Sequence, residues 1–164
     1  MKKRAWFNDN DTKEYRYLLR YKWDSRKLRV LFIMLNPSWA DATRSDQTVD
    51  NCIEYAKKLG GGTLEVVNLF AYVSPSPKAM FRLKNHDIIG KRTDVFIARA
   101  IKRAEKIVVA WGAKGHGFHR NHKVLNMLEE SGKDLLCLGI SKYGHPVHPG
   151  YIPGADKKIV PFVY

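Results

Sequence analysis

Leu28-Arg29-Val30-Leu31-Phe32-Ile33-Met34-Leu35-Asn36-Pro37-Ser38 is the stretch that decides the fold. Apart from Arg29, residues 28–35 are apolar, with no polar alternation. Such a run is a strand buried on both faces, as in the middle of a parallel sheet. Pro37 ends it, because proline has no amide hydrogen for the ladder. Similar apolar runs recur at residues 64–69, 106–111 and 135–139. Between them, residues 49–59, 90–103 and 121–131 carry apolar side chains at helical spacing, as at Val49, Ile53, Ala56 and Leu59 before Gly60-Gly61-Gly62. Strands alternating with helices predict right-handed crossovers and an α/β class, a three-layer α/β/α sandwich around a mainly parallel sheet. Ligands of such sheets collect outside the carboxyl ends of the strands. Asn36, Asn68, Trp111 and the loop at residues 145–148 all follow strand ends, so they are expected along one edge.

The flanks add less. Residues 15–23 alternate aromatic or aliphatic side chains with Arg and Lys, the pattern of a half-exposed strand near an edge. Residues 73–85 are punctuated by proline and read as an exposed loop with one helical turn, and residues 159–164 as a further edge strand. Residues 1–14 are expected to form a basic N-terminal extension on a single domain spanning 1–164, a length that buries a core without staples. Hydrophobic residues at 45% and charged residues at 27% exclude the disordered class.

The charge balance narrows the partners. There are 29 Lys plus Arg against 16 Asp plus Glu, a formal net charge of +13. The basic residues are spread over several segments, so the surface as a whole attracts polyanions through counterion release. DNA, single- or double-stranded, is the expected partner, with RNA as an alternative. No apolar run reaches membrane-spanning or signal-peptide length, which points to a cytoplasmic monomer with no membrane partner. Cys52 and Cys137 sit in apolar contexts and read as small buried residues rather than ligands. No cofactor is expected.

Each motif has a plain structural reading beside a chemical one. Asn36-Pro37-Ser38 suits a strand-ending turn; it also puts a carboxamide at the lip of the sheet, able to orient water or substrate. Asn68 lies in an apolar strand end, where an unsatisfied amide costs about 1–3 kcal/mol. Its partner is either a neighbouring backbone or the edge of a heterocyclic base. His145 and His148 flank Pro146-Val147 in a constrained loop, a setting for a general acid or a donor to developing negative charge. His116, His119 and His122 add imidazoles, but their spacing matches no standard metal cluster, and no metal is expected. Trp39, Phe70, Tyr72, Trp111 and Tyr151 are rim or core aromatics, any of which would provide a face for a base. Gly112 opens a glycine-containing loop that lacks the P-loop pattern, and Lys114, Arg120 and Lys142 are candidates for phosphate contacts. Asp41, Asp46 and Asp50 suit a helix start, and Asp41 or Asp46 is placed to hold a water.

Four segments carry a resemblance. Leu35-Asn36-Pro37-Ser38-Trp39-Ala40-Asp41, Val67-Asn68-Leu69-Phe70-Ala71-Tyr72, Ala110-Trp111-Gly112-Ala113 and Gly144-His145-Pro146-Val147-His148-Pro149 resemble the signatures of a bacterial and phage domain family of unknown function, over residues 15–153. More distantly, the motif order is similar to that of the uracil-DNA glycosylase superfamily. That resemblance implies a parallel four-stranded α/β/α sandwich and hydrolysis of an N-glycosidic bond. It also implies roles: Asn36 for positioning water, Asn68 for reading the base edge, and His145 or His148 for the leaving base. The chain departs from that pattern, with Val147 or Gly150 where a serine is usual and Ser38 where a tyrosine or glycine is usual. Two other expectations stand beside a glycosylase: a non-catalytic nucleic-acid binder on the same scaffold, and a hydrolase of free nucleosides or nucleotides.

Overall fold

The computed structural model describes residues 1–8, 11–38, 46–150 and 155–164. Its seven strands are β1 (Lys2–Phe7), β2 (Arg16–Lys22), β3 (Leu28–Met34), β4 (Gly61–Asn68), β5 (Lys106–Val109), β6 (Leu135–Cys137) and β7 (Val160–Pro161). The helices are α1 (Gln47–Lys58), α2 (Pro77–Phe81), α3 (Thr93–Arg103) and α4 (Arg120–Ser131), with a 3-10 segment at Ala113–His119. One sheet runs β1-β2-β4-β3-β5-β6-β7. The stretch 28–38 does lie in its middle: β3 pairs in parallel with β4 on one side and β5 on the other, and β5 pairs in parallel with β6. The sheet is nonetheless mixed, since β1, β2 and β7 are antiparallel to their neighbours.

Three expectations are corrected here. Residues 1–14 are not an extension: Lys2 through Phe7 form β1, whose register with β2 pairs Lys3 with Tyr21 and Ala5 with Leu19. β2 lies next to the edge as expected but is not half-exposed, since Arg16 through Leu19 are buried between β1 and β4. The alternation of basic and aromatic residues belongs to the second strand from the edge, where Arg20 finds an internal carboxylate, Glu65. The start of β4 also moves forward, into the glycines read as a helix stop. Only glycine fits there, because a Cβ on Gly62 would lie 1.9 Å from the Asp24 carbonyl oxygen.

Each face of the sheet has its own apolar layer. From β3, Leu31 and Ile33, with Leu35 beyond the strand end, pack with Ile97, Ala100 and Ile101 of α3 and Val124, Leu125 and Leu128 of α4. The alternate residues Val30, Phe32 and Met34 pack with Val49, Cys52, Ile53 and Ala56 of α1. The period-two pleat thus sends one strand into both cores. No helix among the described residues is long and apolar enough to cross a membrane.

Asp46 starts α1. Its Oδ1 accepts from the Val49 amide at 2.8 Å, filling one of the four donors that a helix start leaves open. As the crossover from β3 to the parallel β4, α1 must run back down the sheet, so its first turn lies at the carboxyl edge.

Candidate functional site

The carboxyl edge is stitched together by backbone bonds. The Leu69 and Phe70 amides donate to Met34 and Leu35 carbonyls, continuing the β3–β4 pairing past the strands, and the Ser74 amide donates to the Pro37 carbonyl at 3.0 Å. Asn36 belongs to this seam. Its Nδ2 donates to the carbonyls of Pro37 at 3.1 Å and Ser74 at 3.2 Å, which fixes the carboxamide plane and leaves Oδ1 as its acceptor. Pro37 is buried, and Ser38 Oγ donates to Asp46 Oδ2 at 2.5 Å, tying the end of β3 to the start of α1.

Asn68 ends β4 opposite Met34. By the pleat it shares a face with Leu64 and Val66, so its side chain lies on the α1 side. It is 2% exposed, and among the described residues neither Oδ1 nor Nδ2 has a hydrogen-bond partner. Buried amides are almost always satisfied.

The loop after β6 closes on the same edge. The Gly112 amide donates to Pro146 O at 2.9 Å, the Val147 amide to Gly139 O at 3.0 Å, and Asn51 of α1 donates Nδ2 to Pro149 O at 2.9 Å. Gly150 is wedged where a Cβ would come within 2.9 Å of His148 Nδ1 and 3.2 Å of Thr48 Oγ1. Its own amide donates to His148 Nδ1 at 2.9 Å. Nδ1 is therefore an acceptor, and the neutral ring carries its hydrogen on Nε2. Burial holds the His148 pKa below the ordinary histidine value, and the Asp46 carboxylate works in the opposite direction without reversing it. A neutral imidazole with a fixed Nε2–H donor is the result. Gly112, at a φ of +73°, lets the chain after β5 pass beside it, since a Cβ there would lie 3.5 Å from His148 Cβ.

His145 is placed differently. It caps a tight turn in which the Ser141 amide donates to its carbonyl at 2.8 Å, and its ring lies 6.4 Å from that of His116. His116 Nδ1 is 2.8 Å from the Ala113 carbonyl. Among the described residues, no group of three or more His, Cys, Asp or Glu is arranged to hold a metal.

A family model matches residues 16–150, from the first residue of β2 to Gly150. The chain belongs to the family described as Protein of unknown function (DUF1643). The DUF1643 match takes in all four strand-end motifs and omits β1 and β7, so the family's common part is the inner sheet with its carboxyl edge. No curated protein and no solved structure matches this DUF1643 chain.

Around the edge, the sequence-derived candidates divide. Ser38, Gly112 and His148 come together with Asp46, while Asn36 and Asn68 sit just past and at the carboxyl ends of the neighbouring strands β3 and β4. Trp111 instead is core, 2% exposed, edge-on to Phe162 at 6.4 Å and covered by Gly115, whose Cβ would sit 2.3 Å from it. Phe70 is fully buried against Phe81 and Phe118. Tyr72 packs edge-on to Tyr15 and His86, on the side of the sheet edge toward β2. Trp39, Asp41 and Tyr151 lie outside the described residues. Lys114 and Lys142 are exposed, but Arg120 is not a surface contact. It is 3% exposed, its Nε donating to Leu69 O at 2.8 Å and its Nη2 to Asp94 Oδ1 at 2.7 Å, so its charge holds α4 to the end of β4. Asn51 was missed. The available signal was a polar residue one turn after the cap, beside the apolar positions of an otherwise regular helix.

Proposed function

We propose that this DUF1643 protein hydrolyses the N-glycosidic bond of a base, uracil or a modified one, flipped from DNA. The reading rests on one observation above all, the buried and unpartnered Asn68 amide. A nucleobase with adjacent carbonyl and ring N–H offers the complementary acceptor and donor, and a site built to bond such an edge discriminates strongly, because the wrong ligand leaves buried groups unpaired. The parallel order of β4, β3, β5 and β6 with helices on both faces is consistent with a uracil-DNA glycosylase-like arrangement.

In this mechanism a water held by Asn36 Oδ1 attacks the anomeric carbon as the bond to the base nitrogen breaks. The bonding electron pair leaves with the base, and His148 Nε2–H donates a hydrogen bond to the oxygen on which that charge collects. The proton lost by the water neutralises the departing base, giving a free base and an abasic sugar. A neutral histidine serves this role because it carries a donor without first binding the anion as an ion pair. The +13 charge brings the strand to the site.

The test is incubation with single strands and duplexes carrying uracil and other altered bases, followed by alkali to cut abasic sites. Cleavage that disappears in Asn68→Leu and His148→Ala supports the reading. No release from any substrate by folded protein rules it out.

One observation favours a second reading, a binder without turnover: Asn36 uses its amide to pin Ser74, a structural task, and cannot take a proton. A binder keeps its affinity for DNA in Asn36→Ala and releases no base in either form.

A further inference from the structure

A second charged feature lies on the α3 face. A cleft of about 320 Å³ runs between α3 and the β1–β2 pair, lined by Arg20, Arg92, Arg99 and Arg103 together with Trp6, Leu18 and Phe96. Its lining contains no acidic residue. Arg92, Phe96, Arg99 and Arg103 follow one another by four, three and four positions, so they form a single stripe along the helix. At 1.5 Å per residue the stripe is about 16 Å long. Because α3 leads from the end of β4 to the start of the parallel β5, its Arg92 end lies at the carboxyl edge and its Arg103 end at the opposite one.

The guanidinium groups are held in place. Arg4 and Arg20 face each other across the β1–β2 register, where like charges repel, and both lie over the Trp6 ring at 4.6 and 4.8 Å. Arg92 lies over Phe96 at 5.2 Å, and Phe96 is itself stacked on Tyr17 at 5.1 Å. Beneath them Glu65, with its side chain fully buried, takes Arg20 at 2.6 Å and Arg103 at 3.0 Å. That carboxylate is the only one these five arginines meet among the described residues. Arg4, Arg92 and Arg99 have no acidic partner among those residues. Guanidinium groups stacked on rings keep their in-plane N–H donors free, and their side-chain entropy is already lost.

We propose that this cleft is a binding site for the phosphodiester backbone of a single-stranded nucleic acid. A row of guanidinium groups served by a single carboxylate matches a row of phosphates, whereas a lone phosphate would satisfy one or two of them. An extended strand can lie along the arginine stripe of α3. Since the aromatic faces are already covered by arginine or tyrosine, recognition goes through phosphate and is independent of base sequence. The proposal extends the nucleic-acid reading above to a different face and does not depend on base excision.

The experiment compares the full chain with Arg92→Ala/Arg99→Ala, both exposed: Arg99 lies within α3, where alanine favours the helix, and Arg92 is its cap residue, whose side chain makes no capping bond. Binding of a fluorescein-labelled thymidine 20-mer is titrated across salt concentrations, with thymidine monophosphate and inorganic polyphosphate as competitors and a melting curve for each protein. The expected result is wild-type binding that weakens with salt, and a double variant with unchanged melting, at least tenfold weaker binding at low salt and a log–log salt slope shallower by about 1.4, at 0.7 per strand phosphate. Polyphosphate should compete and the monophosphate should not. Equal affinity and slope in the two proteins, no binding by the wild type, or a monophosphate that competes as well as the 20-mer overturns the proposal. Base release from a uracil-containing strand is assayed separately on the Arg92→Ala/Arg99→Ala protein, where it should persist at saturating strand concentration, so loss of either property leaves the other readable.

Discussion

Asn51 in α1 donates its side-chain amide to the carbonyl of Pro149 at 2.9 Å, so a helix on one face of the sheet holds the loop that carries His148. Among the described residues no other donor reaches this carbonyl. Asn51→Ala is expected to lower stability by about 1–3 kcal/mol in urea unfolding, the penalty for an orphaned buried acceptor. Asn51→Asp should not restore it, because a carboxylate cannot donate. Wild-type stability in the alanine variant would show that the loop is held by something else.

Asn68 behaves in the opposite way. Leucine has nearly the same size and removes two unpaired buried polar atoms, so Asn68→Leu is expected to raise stability by about 1–3 kcal/mol while abolishing ligand recognition. Differential scanning calorimetry of the two proteins, without ligand, decides the point. A destabilised leucine variant would mean that the amide already has a partner within the chain.

His148 sets a pH dependence whose sign follows from its lowered pKa. The unfolded chain takes up a proton on this ring near the ordinary value of about 6.5, and the folded chain only at lower pH. Stability from this group is therefore fully present above that value and is lost as pH falls toward the folded pKa. Urea midpoints measured between pH 7.5 and 5 should fall more steeply for the wild type than for His148→Gln. Parallel curves would contradict the assignment of burial as the cause.

The basic residues divide by stability as well as by place. Arg120→Met should cost about 1–3 kcal/mol, since the Leu69 carbonyl loses its donor. Lys114→Ala and Lys142→Ala, both exposed, should stay within about 0.5 kcal/mol of the wild type. Melting curves of the three variants check this, and an equal effect in all three would remove the distinction.

The inner sheet was legible because its signals are local. An unbroken apolar run followed by proline announces a central parallel strand, and Val49, Ile53 and Ala56 announce the helix that covers it. β1 was not legible, since Lys2-Lys3-Arg4-Ala5-Trp6-Phe7 has the composition of a tail and becomes a strand only through its pairing with β2. For the site, the motifs at Asn36, Asn68 and His148 could be read because turn residues interrupt apolar runs there. Burial could not be read. Nothing local distinguishes Trp111, committed to the core, from an aromatic at a rim, or Arg120, clamped to Leu69 and Asp94, from a surface arginine. The choice between His145 and His148 likewise depended on which one meets α1, a contact nearly a hundred residues away in sequence.

The parallel pairing of β4, β3, β5 and β6 has a kinetic consequence. Parallel neighbours cannot be joined by a hairpin, so every pair in this quartet forms only after a long stretch of chain has closed on itself. Domains dominated by such non-local contacts fold slowly, on the order of milliseconds to seconds. The carboxyl edge that carries residues 36, 68 and 112 at the ends of three of these strands exists only once that closure is complete. Recovery of ligand binding after dilution from denaturant therefore reports the last stage of folding, and it should lag behind the return of helical circular dichroism.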